Sequence, residues 1–283
     1  EVDMGMTGTL PCLNKRGVEF AIRVCHALHM EIDELLCFDR KNYYYSDLPK
    51  GFQITQDKRP IGRNGYLMIE VDGEEKRIDI ERLHMEEDTA KQLHLTDYSL
   101  IDYNRAGIPL IEIVTKPCIR SGKEASAYLE ALRQVFLYTE VSDAKLEEGS
   151  MRCDVNVSIR PFGQEAFGTR TEIKNLNSIS NVQKAIDYEA GRQQEVIESG
   201  GEVLQETRRY DEVEKVTTVM RSKGDAVDYK YYTEPNILPI RLDHAWVEQI
   251  KDELPMMAGE REKHYEEEYG IPKTDIGVDL VAE

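Results

Sequence analysis

The chain has 283 residues, a formal net charge of −18 and a pI near 4.9. Its 40% hydrophobic content can fill a sizeable core, while so acidic a balance argues against a protein that coats nucleic acid, because neutralising phosphates needs a basic footprint. Nothing resembles a signal peptide and no apolar run approaches the roughly 20 residues that span a bilayer, so a soluble, cytoplasmic protein with no membrane attachment is expected.

Five scattered cysteines without a C-x-x-C pair point to reduced, buried apolar residues rather than zinc or redox chemistry. The opening "EVDMGMTGTLP" and the closing "GVDLVAE" carry neither a start nor a cap signal, which reads as a piece of a longer polypeptide.

In chain order, "NKRGVEFAIRVCHALHM" sets Val18, Ala21, Ile22, Cys25, Leu28 and His29 on one stripe at helical spacing, with Asn14 as N-cap. Tyr66 to Val71 and Lys76 to Arg82 flank "DGEE", a hairpin signal, since Asp72-Gly73 suits the positive-φ positions of a tight turn. "LIEIV" (110–114) reads as a short strand closed by Pro117.

A capping box, Ser121 with Glu124, opens a helix whose stripe is Ala125, Tyr128, Leu129, Leu132, Val135 and Phe136. "MRCDVNVSIR" and "TRTEIKN" alternate at period two around a loop. A third helix spans about Ser178 to Glu198 and stops at Gly200-Gly201, and a helical tail begins near Ala245, is broken by Pro255 and ends near Gly270. The fold class that follows is α+β, a mostly antiparallel sheet with helices on one face.

The alternating pair carries chemistry. If Arg160 faces Gly168 across a hairpin, Ser158 lies opposite Arg170, Asn156 opposite Glu172 and Asp154 opposite Lys174, so the two polar faces coincide. This also describes the wet side of a half-exposed sheet. Short acids, Asn and Arg nevertheless suit fixed coordination better than a solvated face does. Glu112 sits among apolar neighbours in "PLIEIV", and a buried acid there needs a cation, a donor or a raised pKa.

"RLHMEED" ends a strand in three acids, with Glu86 and Glu87 pointing to opposite sides. Carboxylates gathered from neighbouring strands make a site for a hard cation such as Mg²⁺, although a solvated turn explains the cluster equally. Neither G-x-x-x-x-G-K-[ST] nor G-x-G-x-x-G occurs, so phosphates would rely on side-chain cations: Lys41, Arg105, Lys174 and the pair Arg208-Arg209, each of which could instead form an ordinary salt bridge.

The phrases "FDRKNYYY", "RLHMEEDTAK", "DYNRAGIPLIEIV", "LEEGSMRCDVNVSIRPFGQEAFGTRTEIKNLNS", "GGEVLQETRRYDE" and "DYKYYTEPNILPI" resemble, across the whole chain, the B-subunit family of tRNA-dependent aspartyl/glutamyl amidotransferases. The resemblance implies a cradle domain similar to the glutamine synthetase and guanido kinase fold over residues 1–254, then the start of a helical domain over 255–283. It also implies ATP- and Mg²⁺-dependent phosphorylation of the side-chain carboxyl of Glu-tRNA(Gln) or Asp-tRNA(Asn). Amidation then follows, using ammonia from the glutaminase A-subunit, with a small C-subunit as further partner. The reading from another class is a tRNA-docking or assembly scaffold without catalysis.

Carried over by position, the resemblance makes Glu87, Glu112 and Asp154 metal and catalytic residues, with Glu86 a further metal ligand and Lys174 catalytic. Lys41, Arg105, Asn156 and Arg208 become contacts to the nucleotide. It also implies further metal ligands from a strand preceding residue 1.

Overall fold

A computed structural model of the chain describes residues 1–222 and 229–271. In chain order the elements are α1 (Lys15–Ala27), β1 (Glu31–Ile32), β2 (Leu35–Leu36), β3 (Asp39–Asn42), β4 (Phe52–Thr55), β5 (Gly62–Val71), β6 (Glu74–Glu87), β7 (Lys91–His94), β8 (Ser99–Asp102) and β9 (Pro109–Thr115). There follow α2 (Gly122–Tyr138), β10 (Val155–Val157), β11 (Thr171–Lys174), α3 (Ile179–Glu198), β12 (Glu206–Asp211), β13 (Val216–Ser222), β14 (Lys230–Thr233), β15 (Ile240–Arg241), α4 (His244–Asp252) and α5 (Ala258–Tyr269).

This is the expected α+β mixture, but the strands form several small sheets rather than one. Two have four strands, β1-β5-β6-β9 and β10-β11-β12-β13; one has three, β14-β3-β4; two are ribbons, β15-β2 and β7-β8. The pairing is antiparallel except between β11 and β12, which run parallel because α3 intervenes and returns the chain in the same direction.

The described residues divide into two compact units: 1–67, 79–116 and 229–271 make one, 68–78 and 117–222 the other. Residues 272–283, part of the stretch expected to begin a helical domain, lie outside the described residues.

In the first unit, Asn14 caps α1 by accepting from Arg16 N at 2.9 Å, and the stripe Val18, Ala21, Ile22, Cys25 and Leu28 is buried. His29, expected on that stripe, is exposed instead. Leu28 ends the helix, and His29 takes a left-handed φ of 52° that turns the chain, so Met30 occupies the next buried position while the His29 ring stacks on Tyr66 at 4.4 Å. Helix α4 packs on α1, where His26 Nε2 contacts Val247 O at 3.0 Å. At its tip, which belongs to the second unit, the β5–β6 hairpin turns through Asp72 (φ 54°) and Gly73 (φ 83°), as "DG" predicts.

In the second unit, the six expected stripe residues of α2 are buried. Ser121 Oγ accepts from Glu124 N at 3.2 Å, but the Glu124 carboxylate reaches Arg120 N and Lys76 rather than Ser121 N, so only half of the capping box forms. Helix α3 packs on α2 and covers β10 and β13. The β10–β11 register pairs Asn156 with Glu172, the pairing expected from sequence. Gly168 has a reason in that geometry: a Cβ there would stand 2.1 Å from Ile159 O. All five cysteines are free, but only Cys25 is buried and Cys12 is exposed, because Cys12 lies in the irregular segment ahead of α1.

Candidate functional site

Each unit carries its own polar constellation. Glu86, Glu87, Glu112, Lys41 and Arg105 belong to the first, and Asp154, Asn156, Lys174 and Arg208 to the second.

The strand end "RLHMEED" divides its charges by alternation. His84 pairs in register with Glu112 of β9, and Glu86 follows His84 by two residues on the same side. One ligand atom from each of His84, Glu86 and Glu112 lies within 4.8 Å of the others. His84 is buried, with Nε2 3.7 Å from a Glu86 oxygen and Nδ1 without a hydrogen-bond partner. Among the described residues, neither Glu86 nor Glu112 has a lysine or arginine partner.

Glu112 is exposed, against the expectation from its apolar neighbours: Ile111 and Ile113 alternate to the other side of β9 and leave Glu112 on the open face. Two carboxylates and an imidazole fit a divalent cation.

Glu87 points the other way, to a different partner. Its Oε1 accepts from Ile54 N at 2.8 Å and meets Lys50 Nζ at 2.5 Å, and Gln53 Nε2 donates to its carbonyl at 2.7 Å. Burial pushes the Glu87 carboxyl above its usual range, and the Lys50 charge only partly offsets it. Lys50 also holds Asp3 at 2.9 Å. Arg105 braces the loop beyond β6, donating to the carbonyls of Thr89 at 2.9 Å and Ala90 at 3.3 Å. Lys41 lies between aromatic rings, 4.3 Å from the centroid of Tyr229.

In the second unit the polar faces of β10 and β11 coincide as expected. Lys174 Nζ meets Asp154 at 2.8 Å and Glu172 at 3.3 Å, and Asn156 stands exposed opposite Glu172. Burial would lower the Lys174 ammonium, but the Asp154 and Glu172 carboxylates outweigh it and hold it above its usual value. The next strand separates the arginine pair. Lys174 neighbours Arg209 in the parallel register, and Ile173 neighbours Arg208, so Arg209 shares the polar face while Arg208 turns to the α3 side.

Arg208 is buried and its nitrogens are engaged: Nε donates to Thr217 Oγ1 at 2.8 Å, Nη2 to Thr217 O at 2.7 Å, and Nη1 pairs with Glu206. Glu189 of α3 completes this network, accepting from Arg192, Gln193 and Thr217. Arg209, by contrast, is exposed, and its guanidinium donates to Thr218 Oγ1 at 3.3 Å.

His84 is the residue sequence reasoning passed over, and of the pair Arg208-Arg209 it carried forward Arg208, the buried one; period two would have found His84 and chosen Arg209. It puts His84 beside Glu86, and it puts Arg209, not Arg208, in step with Lys174.

Residues 1–248 match the GatB/GatE catalytic domain family. The chain belongs to that family. It is similar to the B subunit of the aspartyl/glutamyl-tRNA(Asn/Gln) amidotransferase from Mesoplasma florum, 54% identical over 282 residues, which covers 100% of this chain and 59% of the relative. The protein of the same name from Mycoplasma mycoides subsp. mycoides is 52% identical over 283 residues, with 100% and 59% covered. That of Staphylococcus aureus is 54% identical over 277 residues, with 98% and 58% covered. The chain thus spans about 59% of the length of the curated relatives it matches. No helix among the described residues is long and apolar enough to cross a membrane.

Proposed function

We propose that the whole protein, of which this catalytic domain is part, activates and amidates the side-chain carboxyl of Glu-tRNA(Gln) or Asp-tRNA(Asn) in the cytoplasm, consuming ATP. Its partners in this reading are a glutaminase subunit that supplies ammonia and a small third subunit. The γ-phosphoryl group passes to a carboxylate oxygen and releases ADP. Ammonia then attacks the acyl carbon, phosphate leaves, and an amide and a proton remain. Such transfers ask for positioning and charge neutralisation rather than a protein nucleophile, and no nucleophile motif stands out in the sequence.

The observation that carries the reading is the His84–Glu86–Glu112 cluster in a chain of this family. His84, Glu86 and Glu112 would hold Mg²⁺, whose chemistry is neutralisation of phosphate charge. Lys50 fixes Glu87 on the opposite side of β6. On the second unit, Asp154 and Glu172 hold Lys174 protonated and fixed in place, and Arg209 on the same polar face offers positive charge to an anionic substrate. Arg208 serves the fold.

The absence of Lys or Arg partners for Glu86 and Glu112 among the described residues favours catalysis over a scaffold, where such acids would be tied off. The test is ATP-dependent phosphate release by the full complex supplied with misacylated tRNA. Glu112→Gln is expected to lower it by about a hundredfold or more. Unchanged turnover with weakened assembly would instead identify a scaffold.

A further inference from the structure

Lys41 of β3 has no carboxylate partner among the described residues. Aromatic rings hold it instead. Its ammonium stands 4.3 Å from the Tyr229 ring centroid and 5.6 Å from that of Tyr43, and those two rings meet edge to face at 5.3 Å and 87°. Tyr231 of β14 lies opposite Lys41 in register.

The clamp is within electrostatic reach of the cation cluster. Burial first, and then neighbouring charges that include Glu86, push the Tyr43 and Tyr231 hydroxyls up, with Glu112 also acting on Tyr231. Both phenols therefore stay neutral at ordinary pH. A ring face attracts an ammonium without consuming its N–H donors, whereas a carboxylate would occupy them and cancel the charge. A lysine stem has four rotatable bonds and keeps its head in one place only if something holds it.

We infer that Tyr43 and Tyr229 are positioning residues that hold the Lys41 ammonium, its charge uncancelled, for a phosphate oxygen of the nucleotide. The inference rests on the ATP-dependent reading above and adds to it the device that aims Lys41.

The test uses the full complex and the KM for ATP in phosphate release with misacylated tRNA. ATP-dependent release by the unaltered complex must be present first; its absence would sink the parent reading rather than the clamp. Lys41→Met and Tyr229→Leu are then each expected to raise KM for ATP by about five- to tenfold with kcat within about twofold, while Tyr229→Phe stays well below Tyr229→Leu, because the ring and not the hydroxyl makes the contact. Tyr43→Phe and Tyr43→Leu repeat the comparison at the second ring, so that a folding defect at one position leaves the other readable.

The clamp is overturned if Phe and Leu are equally harmful at both positions, if both Leu variants keep the original KM while Lys41→Met raises it, or if Lys41→Met itself leaves KM unchanged.

Discussion

Glu86 and Glu87 are adjacent, yet a strand sends them to opposite sides: Glu86 joins His84 and Glu112, and Glu87 meets Lys50. If the cluster binds a cation, titration calorimetry of this domain with Mn²⁺ alone should show one site that weakens at least about tenfold in Glu112→Gln and in His84→Ala. Equal binding in all three proteins would remove the cluster from consideration.

The arginine pair divides in the same way. Arg208→Ala leaves the buried Glu189 and the half-buried Glu206 with less compensation and should cost about 3–5 kcal/mol in denaturant unfolding. Arg209→Ala, on the polar face, should stay within about 0.5 kcal/mol.

At the scale of elements, Gly168 and Ser121 are the informative positions. Gly168 lies where the chain passes close to Ile159, and the methyl of Gly168→Ala would meet a backbone carbonyl that cannot swing aside. A loss of about 1–3 kcal/mol is expected, with hydrogen-exchange protection falling first in β10 and β11. Ser121→Ala removes the oxygen that accepts from Glu124 N and should cost about 1 kcal/mol. A cost near zero would mean that Glu124, already bonded to Arg120 N and Lys76, holds the helix start alone.

Over the whole molecule, several carboxyls are displaced on folding. Arg59 holds Asp33 below its usual range. Burial raises Glu189 and Glu124, but the donors around Glu189 and the Lys76 and Arg120 contacts of Glu124 outweigh it and leave both lowered. A lowered folded pKa gives stability that is present above the unfolded value and lost as pH falls through the folded one. Glu87, raised by burial, has the opposite sign: its contribution is present below its unfolded value and fades as pH rises through the folded one.

Asp211 is lowered as well, by the Glu214 and Val213 amides, and four carboxyls against one predict a denaturation midpoint that falls between about pH 5 and pH 2, with a shallower acid limb in Glu189→Gln. Fluorescence-monitored unfolding across that range checks it, and identical limbs would show that Glu189 is not part of the acid response.

The helices and the β5–β6 hairpin were legible in the sequence because their signals are local: caps at Asn14 and Ser121, stripes at helical spacing, the Gly200-Gly201 stop, and an Asp-Gly turn. The pairing of Asn156 with Glu172 was legible too, since alternation on both strands leaves few registers that bury one face. The family was written in long motifs that survive outside any structure.

Tertiary structure alone decided that His84 and Glu86 meet Glu112, that Glu87 belongs to Lys50, that Glu112 is exposed, and that Lys41 rests on Tyr229, a residue far along the chain. Those facts depend on which strands become neighbours, and pairing between segments far apart in sequence is fixed by the packing of the whole chain rather than by any local preference.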